Sequence, residues 1–166
     1  MDIVFDASTL ILLAKVDILR IVAENVKIII PEEVKIECTK KDVFDAKLIS
    51  ALIEKRQIKV KKLLLSEGKT VSKLCKDFKI QYGEAAALHL AVEKKCPLAV
   101  DDGPTIKACK IINQKFTTAI HFLVNMTETA KIDRKEAIVK LEKLSCYGRY
   151  SRRIIEDASK RMKGEN

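Results

Sequence analysis

The chain has 166 residues, enough for one domain with a sizeable hydrophobic core. It carries 32 Lys and Arg against 23 Asp and Glu, and this formal net charge of +9 suits a polyanionic partner, although a Lys-rich heat-stable protein has the same signature. No apolar run reaches the roughly 18 residues of a membrane helix, and an acid at position 2 argues against a signal peptide. We therefore expect a soluble, cytoplasmic protein that does not enter a membrane.

Short apolar segments alternate with longer helical patterns along the chain. They predict strands at 2–5, 27–30, 58–62, 97–100 and 116–118. The predicted helices are 7–14, 17–24, 31–40, 43–56, 69–78, 84–94, 104–113, 119–125, 133–145 and 151–162. This alternation indicates an α/β fold with a mostly parallel sheet covered on both faces. We expect one domain, with a core at about 1–126 and a helical C-terminal extension at about 127–166.

Acidic residues stand at the ends of predicted strands or in helices that follow them. Asp6 ends the first strand, and Asp101 and Asp102 follow the fourth. Glu37 lies about two turns into the third helix, and Glu84 lies in the first turn of the Ala-rich helix. Ligands of open α/β sheets gather outside the carboxyl ends of the strands, so these carboxylates are expected to meet at one edge. Together they predict a divalent-metal site.

Each acid also has an ordinary structural interpretation. Asp6 can cap a helix, Glu84 can complement the helix dipole, and Glu37 can be a solvated surface residue. The pair Asp101 and Asp102 is harder to explain this way, because adjacent carboxylates repel each other unless a cation or hydrogen-bond donors stabilise them.

The segments that contain these acids resemble the successive motifs of PIN-domain ribonucleases, specifically the prokaryotic VapC-like toxin branch. The motifs are Val4–Leu10, Pro31–Glu37, Gly83–Ala91 and Val100–Asp102, in this order over nearly the whole chain. The resemblance extends to the tail, which is similar to the helical extension of one PIN subgroup. It implies a PIN-like three-layer α/β/α sandwich.

The resemblance also implies a Mg²⁺- or Mn²⁺-dependent endoribonuclease that cleaves RNA with a metal-activated water. Asp6, Glu37, Glu84 and Asp102 would be catalytic, with Asp6 the central metal ligand and Glu84 and Asp102 further ligands. Either carboxylate of the pair can face the metal, so Asp101 is also a candidate ligand. Many relatives have Asp where this chain has Glu84, whose extra methylene favours coordination through water.

Partners follow from the same resemblance. They are RNA, an antitoxin protein and a second copy of the chain in a homodimer. A PIN scaffold that binds RNA or protein without cutting it remains an open alternative. A receiver-like domain fits less well, because it needs an acid pair on the first strand.

Supporting residues are predicted at two places. Ser8 and Thr9 follow Asp6 and can hydrogen-bond a metal-binding carboxylate or a phosphate oxygen, or simply cap the helix. The chain has 3 Tyr, 5 Phe and no Trp, so few aromatic side chains are available to stack on bases. RNA affinity is therefore expected to depend mainly on phosphate contacts. The candidates for these contacts, all placed on one face of the last helix, are Arg149, Arg153, Lys160 and Lys163. An amphipathic surface helix gives the same pattern.

The pattern of cysteines and histidines does not indicate a second metal or catalytic site. The five cysteines contain no Cys-x-x-Cys spacing and are expected to be reduced, small core residues. His89 and His121 have no evident partner ligand nearby in the sequence, so both are expected to be structural.

Overall fold

The computed structural model describes residues 1–165 and contains one five-stranded sheet. The strands are β1 (Asp2–Phe5), β2 (Lys27–Pro31), β3 (Ile58–Lys61), β4 (Leu98–Ala99) and β5 (Phe116–Thr117). Their order across the sheet is β3-β2-β1-β4-β5, and every neighbouring pair is parallel. The predicted α/β fold with a parallel central sheet is therefore confirmed.

Ten α-helices in the described part of the chain connect and follow the strands. They are α1 (Ala7–Lys15), α2 (Leu19–Asn25), α3 (Glu32–Thr39), α4 (Phe44–Glu54), α5 (Gly68–Phe78), α6 (Tyr82–Lys94), α7 (Gly103–Ile111), α8 (Ala119–Glu128), α9 (Arg134–Tyr147) and α10 (Arg152–Lys163). A short 3-10 turn, Leu65–Glu67, precedes α5. The connections from β1 to β2 and from β2 to β3 move toward one edge of the sheet, and the later connections move toward the other edge. Because connections between parallel strands are right-handed, this reversal places helices on both faces of the sheet. This is the expected three-layer α/β/α arrangement.

Strand β1 is the centre of the sheet and of the hydrophobic core. Its residues Ile3, Val4 and Phe5 are buried, and the alanines of α6 pack close against it because they are small. The chain leaves β1 toward β2 on one side and reaches β4 later on the other side. The carboxyl ends of β1 and β4 thus form a topological switch point, where open α/β sheets have their ligand crevice.

Two helix boundaries differ from the prediction in ways that affect the site. Helix α6 begins at Tyr82 rather than at residue 84, because Gln81 serves as its N-cap. Arg149 was expected in the last helix, and this was wrong. Helix α9 ends before Gly148, whose backbone is extended (φ −92°, ψ 167°), and α10 begins at Arg152 after the Ser151 cap. Arg149 therefore lies in the segment that connects the two helices.

The last three helices pack on one another, and α8 and α9 also pack on α1. Helix α9 contributes a buried lysine, Lys140, whose Nζ donates to the carbonyl oxygens of Val16 at 3.2 Å and Asp17 at 3.1 Å. These carbonyls follow the end of α1, so the ammonium group ties the extension to the first helix. The helical tail thus packs back on the body of the protein. Within residues 1–165, no helix has the length and apolar character to cross a membrane.

Candidate active site

Asp6 lies at the carboxyl end of β1 and caps α1. It is 1% exposed, and its Oδ2 accepts hydrogen bonds from the Ser8 hydroxyl at 2.6 Å and the Ser8 amide at 3.3 Å. Its other oxygen, Oδ1, is buried without a hydrogen-bond partner among the described residues. Burial raises the pKa of Asp6 from 3.8 to about 6, although the Ser8 hydrogen bonds oppose this shift. The helix cap occupies one oxygen and leaves the other for a ligand.

Asp101 is the meeting point of three elements. Its Oδ2 accepts hydrogen bonds from the Thr9 hydroxyl of α1 at 2.7 Å and from the Ala119 amide of α8 at 2.9 Å. Its Oδ1 accepts a short hydrogen bond from the hydroxyl of Tyr150, which lies between α9 and α10. Burial raises the pKa of Asp101, and these donors oppose the shift. Both oxygens of this carboxylate are therefore engaged within the protein.

The next residue, Asp102, has a different environment although it is adjacent in sequence. Its Oδ2 accepts from the Thr105 amide at 2.9 Å and from the Thr105 hydroxyl at 2.8 Å, so it caps α7. Its Oδ1 makes no hydrogen bond to the described residues and remains accessible. The two adjacent acids thus separate into one held by an internal network and one with a free oxygen at the pocket.

Glu84 and Glu37 complete the acidic cluster. Glu84 is in the first turn of α6, where its Oε2 accepts from the Gln81 amide at 2.8 Å. Burial raises the pKa of Glu84, and the charges of Asp102, Asp6 and Glu37 raise it further, which places all four carboxylates in electrostatic range of one another. A Cβ added to Gly83 would lie 3.3 Å from Glu37 Oε2, so the missing side chain lets the exposed Glu37 approach α6.

The four carboxylates and Asp101 line one pocket of about 700 Å³. Its potential donors to an ion are oxygens, the ligand type that Mg²⁺ and Mn²⁺ prefer, and the unpartnered Asp6 Oδ1 is among them. Within residues 1–165, no three of these carboxylates bring oxygens within 4.8 Å of one another. The set fits a hard divalent ion that keeps several waters, with some carboxylates acting through those waters.

The pocket continues as a groove along one face of α1. One wall of this groove consists of Ser8, Ile11, Leu12 and Lys15, which recur at helical spacing. The segment Tyr147–Tyr150, here called the strap, also lines the groove. Lys15 Nζ lies 5.2 Å from the centroid of the Tyr147 ring. The groove is therefore acidic at the β1 end and basic and aromatic at the far end.

The basic residues predicted to bind RNA divide into two groups. Arg149 belongs to the strap and lines the groove, as does Lys110 of α7. Arg153, Lys160 and Lys163 are exposed on α10 and do not line it.

A second group of possible metal ligands lies outside this pocket. Atoms of Glu67, His89 and Glu93 come within 4.8 Å of one another, with His89 Nε2 2.8 Å from Glu67 Oε1. Hydrogen bonds from the Leu64 amide and from His89 lower the pKa of Glu67. Glu67 and Glu93 are ligand candidates close to His89 that were not predicted from the sequence, while the prediction that His89 is structural stays a prediction. The spacing of four residues between His89 and Glu93 was the signal available, because it places both on one helix face.

The groove also contains residues that the sequence did not indicate. Lys15, Tyr147 and Tyr150 have no motif, and they reach the pocket only because the tail packs along α1. Gly148 offered a weak signal, since a glycine permits another group to approach the backbone closely.

Comparison with known proteins gives one family. A family model described as a PIN domain matches residues 2–163. No curated protein and no solved structure matches the chain significantly.

Proposed function

Because the chain belongs to the PIN-domain family, whose members are generally nucleases, we propose that it is an endoribonuclease that cleaves RNA phosphodiesters with Mg²⁺ or Mn²⁺. The observation that carries this proposal is the buried, unpartnered Oδ1 of Asp6 in a pocket lined by further carboxylates at the switch point of the sheet. Leaving a buried carboxylate oxygen unsatisfied costs free energy, and a cation removes that cost.

Asp6, Glu84 and Asp102 are the proposed metal ligands, and Glu37 is proposed to act directly or through water. Each of the three ligands has one oxygen held by the backbone or hydroxyl groups of a helix N-terminus, which fixes its orientation. A bound Mg²⁺ or Mn²⁺ supplies Lewis acidity toward a phosphodiester and a water. The chain itself orients the ligands and leaves Glu37, the exposed member, able to accept a proton from water.

Asp101 is proposed to be a structural residue rather than a metal ligand. Its three hydrogen-bond donors come from Thr9, Ala119 and Tyr150, and they satisfy both oxygens. The Thr9 hydroxyl donates to the Asp101 carboxylate, whereas the Ser8 hydroxyl donates to Asp6. The Ser8 hydroxyl oxygen also accepts a hydrogen bond from the Asp101 amide at 3.0 Å.

The test is Mn²⁺-dependent cleavage of single-stranded RNA by the purified protein. Asp6→Asn should reduce cleavage to the level seen with a chelator, because the neutral amide does not replace the carboxylate in binding a hard cation. Asp2→Asn is the matched control, since Asp2 is an exposed acid at the start of the same strand. Cleavage by Asp6→Asn at the wild-type rate, or no cleavage by the wild type, would overturn the proposal.

We further propose that the protein is a VapC-like toxin that acts in a prokaryotic cytoplasm as a homodimer and is inhibited by an antitoxin. The four motifs support the branch, and exposed apolar residues on neighbouring helices support a protein partner. Ile36 of α3 is 61% exposed and Phe44 of α4 is 68% exposed. The product of the adjacent gene should bind the chain and suppress its nuclease activity. An adjacent product that does neither counts against the toxin role.

A non-catalytic RNA-binding scaffold is the second candidate function. The wide spacing of the carboxylates favours it, because ions held mainly through water need not align a phosphodiester for attack. Titration calorimetry with Mn²⁺, together with RNA binding and cleavage assays, separates the two functions. Metal and RNA binding without cleavage would identify the scaffold.

A further inference from the structure

We propose that the strap and Lys15 form a subsite for the nucleotide next to the cleaved phosphodiester, with Arg149 and Lys15 contacting phosphate and Tyr147 stacking on the base. This inference rests on the proposed function, because it assumes that the acidic end of the same groove receives a phosphodiester. It gives the C-terminal extension a direct part in substrate binding.

The first support is the continuity of the groove. The face of α1 that begins beside Asp6 runs to Lys15, a distance of about 10 Å at the rise of an α-helix. The strap runs beside this face, because Tyr147 lies against Lys15 at one end and Tyr150 shares Asp101 with Thr9 at the other. A nucleic-acid strand that follows the groove from its acidic end therefore meets the strap.

The second support is the chemistry at the far end. Among residues 1–165, neither Lys15 nor Arg149 has a carboxylate within 4.0 Å, so both cations are available to an anion. Tyr147 is 55% exposed although it lines the groove, and Lys15 already lies over its ring. A partly exposed aromatic ring in the same groove as two cations that lack a carboxylate partner suits a base with its phosphate, since base stacking and charge neutralisation act together on single strands.

The third support is that the strap is held in place by its own residues. A Cβ on Gly148 would lie 2.5 Å from a ring carbon of Tyr150, so this ring packs directly on the glycine backbone. The Tyr150 hydroxyl then donates to Asp101. Tyr150 is thus a positioning residue, which fixes the neighbouring Arg149 relative to the acidic pocket.

The experiment measures binding of two fluorescein-labelled probes in the presence of a chelator: a short oligouridylate and an abasic oligonucleotide with the same phosphates. Tyr147→Ala should weaken binding of the oligouridylate by about ten-fold, the order expected for one base stack, and leave binding of the abasic probe unchanged. Arg149→Gln should weaken both probes and reduce the slope of log affinity against log salt by about 0.7. The matched controls Tyr82→Ala and Arg153→Gln, which alter exposed residues outside the groove, should retain wild-type affinity.

Tyr150→Phe tests the positioning role. It should weaken both probes, and in an Arg149→Gln background it should cause little additional loss, because its effect is exerted through Arg149. If the role of Tyr150 is purely structural, the losses of affinity caused by Tyr150→Phe and Arg149→Gln should add in the double variant, and the melting temperature should fall. Additive losses overturn the positioning role.

The outcomes separate this subsite from the nuclease proposal. Wild-type affinities and salt slopes for Tyr147→Ala and Arg149→Gln, or no binding of either probe by the wild type, overturn the subsite even if the protein cleaves RNA. Conversely, strap-dependent binding by a protein that does not cleave RNA upholds the subsite while the nuclease proposal fails.

Discussion

At the scale of single residues, Asp101 and Asp102 are adjacent in the sequence but lie in different environments. Asp102 keeps one oxygen at the pocket, whereas Asp101 is enclosed by three donors from separate elements. The sequence predicted that one of the pair faces a metal and could not choose between them. The choice depends on Thr9 and Tyr150, which are brought to Asp101 only by tertiary packing.

The substitutions Asp101→Asn and Asp102→Asn should therefore differ in kind. An amide at position 101 replaces an acceptor oxygen with a donor, and leaving a buried donor unsatisfied costs about 1–3 kcal/mol. An amide at position 102 still accepts from Thr105, because Asn is a good N-cap, so stability should change little while metal-dependent cleavage is lost. Urea unfolding and Mn²⁺-dependent cleavage measure both effects. A stable Asp101→Asn that no longer binds metal would reverse the assignment.

The raised pKa of Asp6 predicts a pH dependence of stability in the metal-free protein. The native state binds this proton more tightly than the unfolded chain, so the free energy of unfolding should fall as pH rises from 3.8 to about 6. The loss is complete above the folded pKa and amounts to about 3 kcal/mol for a shift of about two pKa units. Asp6→Asn removes this contribution and should be at least as stable as the wild type at neutral pH.

The measurement is urea unfolding of both proteins with a chelator at pH 4 and pH 7. Burial also raises the pKa values of Glu84 and Asp101, so the wild-type curve alone contains several contributions. The difference between the two proteins isolates Asp6. A difference that does not change between the two pH values would contradict the prediction.

At the scale of elements, the site is built from helix N-termini. Helices α1, α6 and α7 each begin with or near a carboxylate that is proposed to bind metal and that lines the pocket. Capping and metal binding are therefore compatible roles of the same side chains. The strap is different, because it continues from the last residue of α9 into the link before α10, where the Tyr150 ring packs on Gly148.

The substitution Gly148→Ala tests that contact. Its Cβ would lie 2.5 Å from the Tyr150 ring and 2.9 Å from the Leu144 carbonyl oxygen, so the strap must move. We expect a loss of about 1–3 kcal/mol of stability, typical of overpacking, together with weaker binding of single-stranded RNA. Gly68→Ala is the control, since its Cβ would meet the Tyr82 hydroxyl at an ordinary 3.7 Å. Wild-type stability and affinity in Gly148→Ala would show that the strap tolerates the side chain.

At the scale of the whole molecule, the sequence predicted the sheet and the acids at its edge because both depend on local patterns. Short apolar runs defined the strands, and parallel strands bring their carboxyl ends together. The far end of the groove could not be predicted, because Lys15 and Tyr147 meet through the packing of α9 on α1. That packing depends on non-local contacts such as the bonds from Lys140 to the carbonyls after α1. The pair of His89 and Glu67 likewise joins residues that no short motif connects.

Metal binding should be visible in the stability of the whole molecule. An ion that binds only the folded state stabilises it by about 2.7 kcal/mol at one hundred times its Kd, so Mn²⁺ should raise the melting temperature by several degrees. Asp6→Asn should abolish this shift, whereas Glu93→Gln should preserve it. The opposite result would assign the ion to the group of Glu67, His89 and Glu93. No shift in the wild type, with no heat of binding, would exclude metal binding at either place.

The hydrogen bond from Tyr150 to Asp101 also has a consequence for synthesis on the ribosome. Asp6 is translated early, whereas Asp102 follows β4, and the strap begins only at the end of α9, the third helix after Asp102. A nascent chain that stops before Tyr147 contains the four carboxylates yet lacks the strap. The groove can therefore be completed only after the strap has left the ribosome, later than the acidic pocket.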